Sequence, residues 1–305
     1  MSAEQFFHET IANWDDWGRV YQSIPAFTPL VQEIYCRERL PFAPLQKLIP
    51  GTNAVFRAGN TVAKVFFPKE SGLDPAPDFH NEAAVCGWLM EQGIPTPRLL
   101  ARGQIRDKYD FFYLIMEYAE GQEAGDWLAC ASPAQKRRFV RRSKEILCKL
   151  NRPANSLLPS IDLLERALQN PRLSELPPTL AEELRERAGR LDLSQKVLVH
   201  GDLTGENLLV TGKEKVLVID CADACLAPTW YELGPIAVEL FRCDPFLLQE
   251  FAGAQREQFV DRLLDSISIH DFGAGLLLSA AQRDELPPFS SLKEARDFFL
   301  KKLLR

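Results

Sequence analysis

VLVHGDLTGENLLV at residues 197–210 and KVLVIDCADA at residues 215–224 decide how this chain is read. The runs KVLV, NLLV and KVLVID are short and β-rich, and polar residues separate them, so the segment reads as strand, loop, strand, turn, strand. That pattern places Asp202 and Asn207 in the loop between two strands and Asp220 at the end of the next. Two carboxylates and one amide can then converge on one point. Phosphoryl transfer needs such a set: one carboxylate orients and deprotonates a hydroxyl, while an amide and a second carboxylate hold Mg²⁺ on nucleotide phosphates. Taken singly, Asp202 and Asn207 are ordinary turn formers and Asp220 an ordinary strand end. Only the combination points to chemistry.

Upstream, residues 45–67 read as three antiparallel strands: LQKLI, the turn Pro50-Gly51-Thr52-Asn53, AVFRA, the pair Gly59-Asn60, and TVAKVFF. Both residues of Gly59-Asn60 tolerate positive φ, which is the signature of a two-residue hairpin. Residues 78–92 carry Phe79, Ala83, Val85, Cys86, Leu89 and Met90 as a helical stripe that Gly93 and Pro95 close. Strands at 98–104 and 110–117 complete a small sheet. Beyond Glu117 the pattern turns helical, and Ser132-Pro133 with Gln135 opens a helix to about Leu150 by N-cap and first-turn proline logic. Further helical text covers 161–169, 179–191 and the chain after Pro228.

The expected fold is therefore α+β and two-lobed. Residues 1–117 form an N-terminal lobe, with a helical extension at 1–44 and a small antiparallel sheet plus one main helix at 45–117. Residues 118–305 form a mostly helical C-terminal lobe that holds the loop with Asp202 and the substrate site. The extension carries Trp14, Trp17, Tyr21 and Tyr35 and reads as helices packed on the N-terminal lobe, without chemistry of its own.

A chain of 305 residues with 46% hydrophobic and 26% charged residues buries a real core, which excludes a disordered or disulfide-stapled protein. A net charge of −6 without a basic run suits nucleic acid poorly. Seven scattered cysteines, an odd number, read as reduced thiols of a cytoplasmic protein. Cys221 and Cys225 lack a nearby second pair, so zinc is not expected. Residues 1–7 do not read as a secretory signal, and no apolar run is long enough to span a bilayer.

His200-Gly201-Asp202 with Asn207, followed by Ile219-Asp220, resembles the H-G-D-x-x-x-x-N and I-D motifs of the aminoglycoside phosphotransferase-like family, a branch of the protein-kinase-like superfamily. The resemblance runs in the family's order from about residue 45 to 235. It implies Asp202 as catalytic base and Asn207 and Asp220 as ligands of Mg²⁺. By the same resemblance Lys64 looks like the strand lysine that contacts α/β-phosphates, and Glu82 like its ion-pair partner. Met116-Glu117-Tyr118-Ala119 is similar to the family's hinge, where backbone groups of Glu117 and Ala119 hold the base. The residues themselves support two of these roles. Lys64 sits inside the apolar run VAKVFF, where a charge needs a partner, and Leu209 and Ile219 alternate correctly to form an apolar floor under a base. Replacing Lys64 by Met is expected to be tolerated provided Glu82 can reach water.

The departures matter too. No G-x-G-x-x-G follows Ile49, so the phosphate loop is a looser one in which Gly51, Thr52 and Asn53 offer donors. Cys221-Ala222 replaces the glycine that would make the Asp220 segment flexible, and no A-P-E motif follows. Glu232, in the segment Ala227–Leu233, is expected to anchor backbone, and His200 to act as a packing and hydrogen-bonding strut. Asp223 can face either the site or its own turn.

The resemblance implies Mg²⁺-assisted transfer of the terminal phosphate of ATP or GTP to a hydroxyl of a small molecule, an aminoglycoside-like compound or another amino/hydroxy metabolite. A nucleotide-binding pseudokinase is the alternative, and a protein kinase the third reading. Residues 221–305 hold thirteen acids against nine Lys/Arg, a balance that suits a cationic acceptor.

Overall fold

The structure, a computed structural model, describes residues 5–49, 51–154 and 156–304. Pro50 of the expected turn, and the start of the N-terminal segment, lie outside them. Contacts divide the chain into two compact units, Met1–Met90 with Thr96–Glu120, and Glu91–Pro95 with Gly121–Arg305.

The first unit begins with two helices, α1 (Trp14–Val20) and α2 (Ile24–Arg37). Each starts on a side-chain cap: Asn13 accepts from the Asp16 N–H and Ser23 from the Ala26 N–H. There follow β1 (Leu45–Lys47), β2 (Ala54–Ala58), β3 (Thr61–Val65), helix α3 (Ala76–Glu91), β4 (Leu99–Arg106) and β5 (Asp110–Glu117). The five strands form one antiparallel sheet in the order β1-β2-β3-β5-β4. Gly59 at φ +63° makes the two-residue turn that sets the β2–β3 register, pairing Ala58 with Thr61 and Val55 with Lys64.

One face of this sheet is covered by α1 and α2. Phe7, Trp17, Phe27, Phe56 and Phe111 are all buried there, and the Phe27 ring lies 5.1–5.9 Å from those of Phe7, Trp17 and Phe56. Near α3, Phe79 stacks on Phe112 at 4.6 Å and meets Phe66 edge-on at 5.7 Å.

The second unit starts with β6 (Gln122–Glu123) and the helices α4 (Ala124–Cys130), α5 (Pro133–Leu150), α6 (Leu163–Leu168) and α7 (Pro178–Ala188). A full capping box of Ser132 and Gln135 opens α5, as the sequence indicates. Four short strands follow: β7 (Val197–Val199), β8 (Leu208–Val210), β9 (Val216–Val218) and β10 (Cys225–Ala227). β6, β8 and β9 form one sheet, and β10 pairs with β7. The sequence reading gives β7, β8 and β9 but neither α4, β6 nor β10.

Thereafter the chain is helical, with a short α8 (Leu233–Pro235) running into a π turn at Ile236–Leu240, then α9 (Pro245–Ala252), α10 (Arg256–Ile269), α11 (Gly273–Arg283) and α12 (Leu292–Leu304). No helix among the described residues is long and apolar enough to cross a membrane.

Candidate functional site

The β7–β8 loop and the end of β9 carry Asp202, Asn207 and Asp220, and the hairpin brings them together. The Ile219 N–H donates to the Asn207 carbonyl at 3.0 Å, extending the β8–β9 ladder by one pair and setting Asp220 beside the loop. The Asn207 Nδ2 donates to both the carbonyl oxygen and the Oδ2 of Asp202, each at 2.8 Å. Leu208, Val210, Val216 and Val218 bury one face of the hairpin, while Leu209 and Ile219 share the other face and are only half-buried. Asp220 holds φ +55°, a left-handed conformation that Asp tolerates better than most residues.

Behind the loop stands a buried support. His200 is fully buried; its Nδ1 accepts the Asp202 N–H at 3.3 Å and its Nε2 lies 3.0 Å from the Ile219 carbonyl. The pair of contacts fits the neutral tautomer with hydrogen on Nε2, so the ring ties the loop to β9. Glu232 Oε1 accepts the Gly201 N–H at 2.8 Å, which is the backbone anchor the sequence suggested. Burial pushes the Glu232 carboxyl up to about 7, against the pull of the Gly201, His200 and Leu203 backbone. Gly201 has φ +85°, and a Cβ there would lie 1.9 Å from the Asp223 carbonyl oxygen. No other residue type fits without moving the loop.

Asp202 is the most perturbed carboxyl of the loop. Burial is the largest cause, followed by the charges of Asp223, Asp220 and Glu232, and together they push it up to about 7 although Asn207 pulls it down. Asp223, whose orientation the sequence left open, therefore belongs electrostatically to this cluster.

Asp202 opens onto a cavity of about 490 Å³ in the second unit. Glu123, Glu206, Glu239, Arg242, Phe272 and Arg283 contribute to its wall. Arg283 pairs with Glu239, and Arg242 pairs with Asp126 at 3.1 Å. Glu123 is raised by burial first, then by Glu206 and Asp126, with Arg242 opposing. None of these wall residues was singled out in the sequence as a ligand group. Glu206, directly before Asn207, carried the one local signal; Glu123 comes from β6, Glu239 from the π turn, Arg242 from the segment after it, Phe272 from the cap of α11 and Arg283 from its last turn.

The first unit holds the remaining candidates. Lys64 Nζ donates to Glu82 Oε2 at 2.6 Å, joining β3 to α3. Their side chains are 4% and 1% exposed, so Glu82 does not reach water and the condition attached to replacing Lys64 is not met. Gly51 and Thr52 are exposed, whereas Asn53 is buried and its Oδ1 has no hydrogen-bond partner among the described residues. The Glu117 N–H donates to the Arg98 carbonyl at 2.9 Å and its carboxylate pairs with Arg98 at 2.8 Å, so that N–H is committed within the sheet. Ala119 lies just past β5, half-buried.

This fold is that of kinase-like phosphotransferases. The model of the phosphotransferase enzyme family, APH, matches residues 49–267, and the chain belongs to that family. Solved structures agree on the fold at low identity. A GDP complex of aminoglycoside 2'-phosphotransferase-IIIa is 16% identical with a TM-score of 0.61, over 93% of this chain and 99% of that one. A ternary complex of a thermostable mutant of aminoglycoside phosphotransferase APH(4)-Ia with ADP and hygromycin B is 15% identical with a TM-score of 0.53, over 89% and 97% of the two chains. Choline kinase LicA from Streptococcus pneumoniae is 14% identical with a TM-score of 0.54, over 91% and 99%. Family and fold together support phosphate transfer to small molecules.

Proposed function

We propose that this chain transfers the terminal phosphate of ATP or GTP, with Mg²⁺, to a hydroxyl of a small amino/hydroxy compound. The observation that carries the reading is Asp202: a carboxyl raised to about 7, bonded to Asn207, and opening onto an acid-lined cavity that suits a small acceptor. In this reading Asp202 orients the acceptor hydroxyl and takes its proton. Lys64, held by Glu82, addresses the α- and β-phosphates, and Gly51, Thr52 and Asn53 offer donors from the β1–β2 loop. Ala119 N–H and the Glu117 carbonyl address the base, and Leu209 and Ile219 offer it apolar surface.

The residues present fit a magnesium ion. Besides burial, the charges of Asp223, Asp220 and Glu232 push the Asp202 carboxyl up, so the loop concentrates negative charge that a bound cation relieves. Asn207 commits its Nδ2 to Asp202, leaving Oδ1 as the atom it offers, and Asp220 adds a hard carboxylate oxygen. Bound there, Mg²⁺ supplies charge neutralisation on the transferring phosphate.

Glu123 and Glu206 favour an acceptor with an ammonium group, since one is raised partly by the other's charge and a cation between them relieves both. The cytoplasm is the proposed compartment, on the odd number and scattered placement of the seven cysteines. A panel of hydroxyl metabolites with γ-labelled ATP and GTP, with and without Mg²⁺, tests the proposal. Mg²⁺-dependent label transfer, strongest for amine-bearing acceptors, is expected. Thermal stabilisation by nucleotide with no turnover on any acceptor would overturn it in favour of a pseudokinase.

A further inference from the structure

The N-terminal helices touch the loop between β1 and β2 at one polar point. The indole Nε1–H of Trp17, on α1, donates to the carbonyl oxygen of Thr52 at 2.8 Å. Trp17 is 1% exposed and its ring is set against Tyr21 and Phe27, each at 5.9 Å, so the donor has little freedom to turn away. Phe27 in turn lies 5.5 Å from Phe56 on β2, the strand that leaves the loop. The helix itself is fixed at its start, where the Asn13 side chain accepts the Asp16 N–H and Asp16 accepts the Ala12 N–H, both at 2.9 Å.

A trans peptide points its C=O and its N–H in opposite directions. Holding the Thr52 carbonyl toward α1 therefore turns the Asn53 N–H away from α1. The same residue carries the buried side-chain oxygen that has no partner among the described residues, and its Nδ2 lies 3.5 Å from Thr52 Oγ1. The loop lacks the repeated glycines that let a phosphate loop wrap its ligand freely, and Gly51 is its single glycine. A loop with less intrinsic adaptability gains most from being set in advance.

We infer that Trp17 is a positioning residue for nucleotide phosphate: the N-terminal helices brace the β1–β2 loop through the Trp17–Thr52 hydrogen bond, so that the Thr52–Asn53 peptide presents its N–H to the ligand. This rests on the reading of residues 51–53 as the phosphate loop. It gives the N-terminal helices, which had no chemistry in the sequence, a part in binding.

The test compares the full chain with Trp17→Phe, which keeps the ring and deletes the donor, and with Trp14→Phe. Trp14 is 40% exposed, sits on the same helix and packs edge-on against Phe67. Calorimetry with MgATP and MgGTP should show binding roughly 3–10-fold weaker in Trp17→Phe, the scale of one hydrogen bond, and unchanged in Trp14→Phe. Affinity for the nucleosides adenosine and guanosine should be unchanged in both, because the brace acts on phosphate. The parent's Trp17 indole N–H resonance, assigned by its loss in the variant, should shift on adding MgATP or MgGTP and should exchange more slowly. Equal nucleotide affinity in Trp17→Phe, or equal losses for nucleotide and nucleoside, overturns the brace. If Trp17→Phe does not fold, the Trp17 indole resonance is assigned by elimination from Phe variants of the other four tryptophans, and its staying unmoved at saturating nucleotide does the same. A parent that binds no nucleotide fails one step earlier, on the phosphate-loop reading itself.

Discussion

Asn207 gives both hydrogens of its side-chain amide to Asp202, one to the main-chain oxygen and one to the carboxylate, each at 2.8 Å. The amide thereby does two things at once. It fixes which oxygen of Asp202 stays open to an acceptor, and it turns its own oxygen away from Asp202. The donor that steadies the proposed base is also the proposed metal ligand, so the two roles are mechanically joined.

The first prediction follows from the charge on Asp202. Its carboxyl is raised in the folded chain from 3.8 to about 7, so between these values the folded state binds more protons than the unfolded state, and stability falls as pH rises from about 4 to 7. Asp202→Asn deletes that contribution while leaving Glu232 in place. Turnover should fall by roughly 10²–10⁴-fold for loss of a positioned base. In metal-free protein at pH 8 the thermal midpoint should rise by roughly 1.5–3 °C, about what 1–2 kcal/mol gives a chain of this size, and the gain should vanish at pH 4. Thermal melts across pH 4–8 beside label-transfer rates decide it. A variant that keeps parental turnover refutes the assignment of the base.

Asp220→Ala should act on binding. Removing the carboxylate is expected to weaken MgATP or MgGTP while leaving the metal-free nucleotide little changed. Calorimetry with Mg²⁺ and with EDTA separates the two. If the variant binds the magnesium complex as tightly as the parent, the metal role moves to Asp223, whose charge already reaches Asp202.

What the sequence disclosed and what it hid divide by separation along the chain. The Gly59-Asn60 turn and the Ser132–Gln135 capping box are local, so residue types alone set them. The convergence of the candidate residues 202, 207 and 220 was equally legible, because the first two share the loop before the β8–β9 hairpin and the third follows its second strand. β10 was not, because Cys225–Ala227 is three residues long and pairs with Val197–Val199 across an intervening hairpin. The cavity wall gathers Glu123, Glu239 and Arg283 from far-apart segments, which no spacing rule can assemble. The Trp17–Thr52 bond spans thirty-five residues and depends on how α1 seats on the sheet.

Gly201→Ala should be among the most damaging single-methyl changes in the second unit. The added carbon would meet the Asp223 carbonyl oxygen at 1.9 Å, and φ +85° is strained for any side chain. Either the loop shifts away from Asp223 or the Glu232 anchor on the Gly201 N–H breaks. A stability loss of about 1–3 kcal/mol, the scale of a strained backbone residue, is expected together with a turnover loss of at least roughly 10²-fold from displaced Asp202. Denaturant midpoints and transfer rates measured on the same preparation check both. Parental values for the two would mean that the loop position is not set at Gly201.

The Lys64–Glu82 pair supplies the last prediction, in which stability and catalysis part company. With side chains 4% and 1% exposed, the two charges are held out of water and each offsets the other. Lys64→Met leaves a buried carboxylate without its ammonium, a loss that typically costs about 3–5 kcal/mol, so this variant should be clearly destabilised. Adding Glu82→Gln removes the stranded charge, and the double variant should recover much of the lost stability, since a well-packed neutral replacement of a buried pair is often close to neutral. Catalysis should not recover. If Glu82 serves only to hold Lys64 against the phosphates, each single variant impairs transfer and the double loses little more than Lys64→Met alone. A double-mutant cycle run on both the unfolding free energy and the transfer rate reads the two couplings separately. Strong coupling in both supports one buried pair with one task. Additive transfer losses with coupled stabilities would leave the pair as a structural bond and move phosphate contact to another cation.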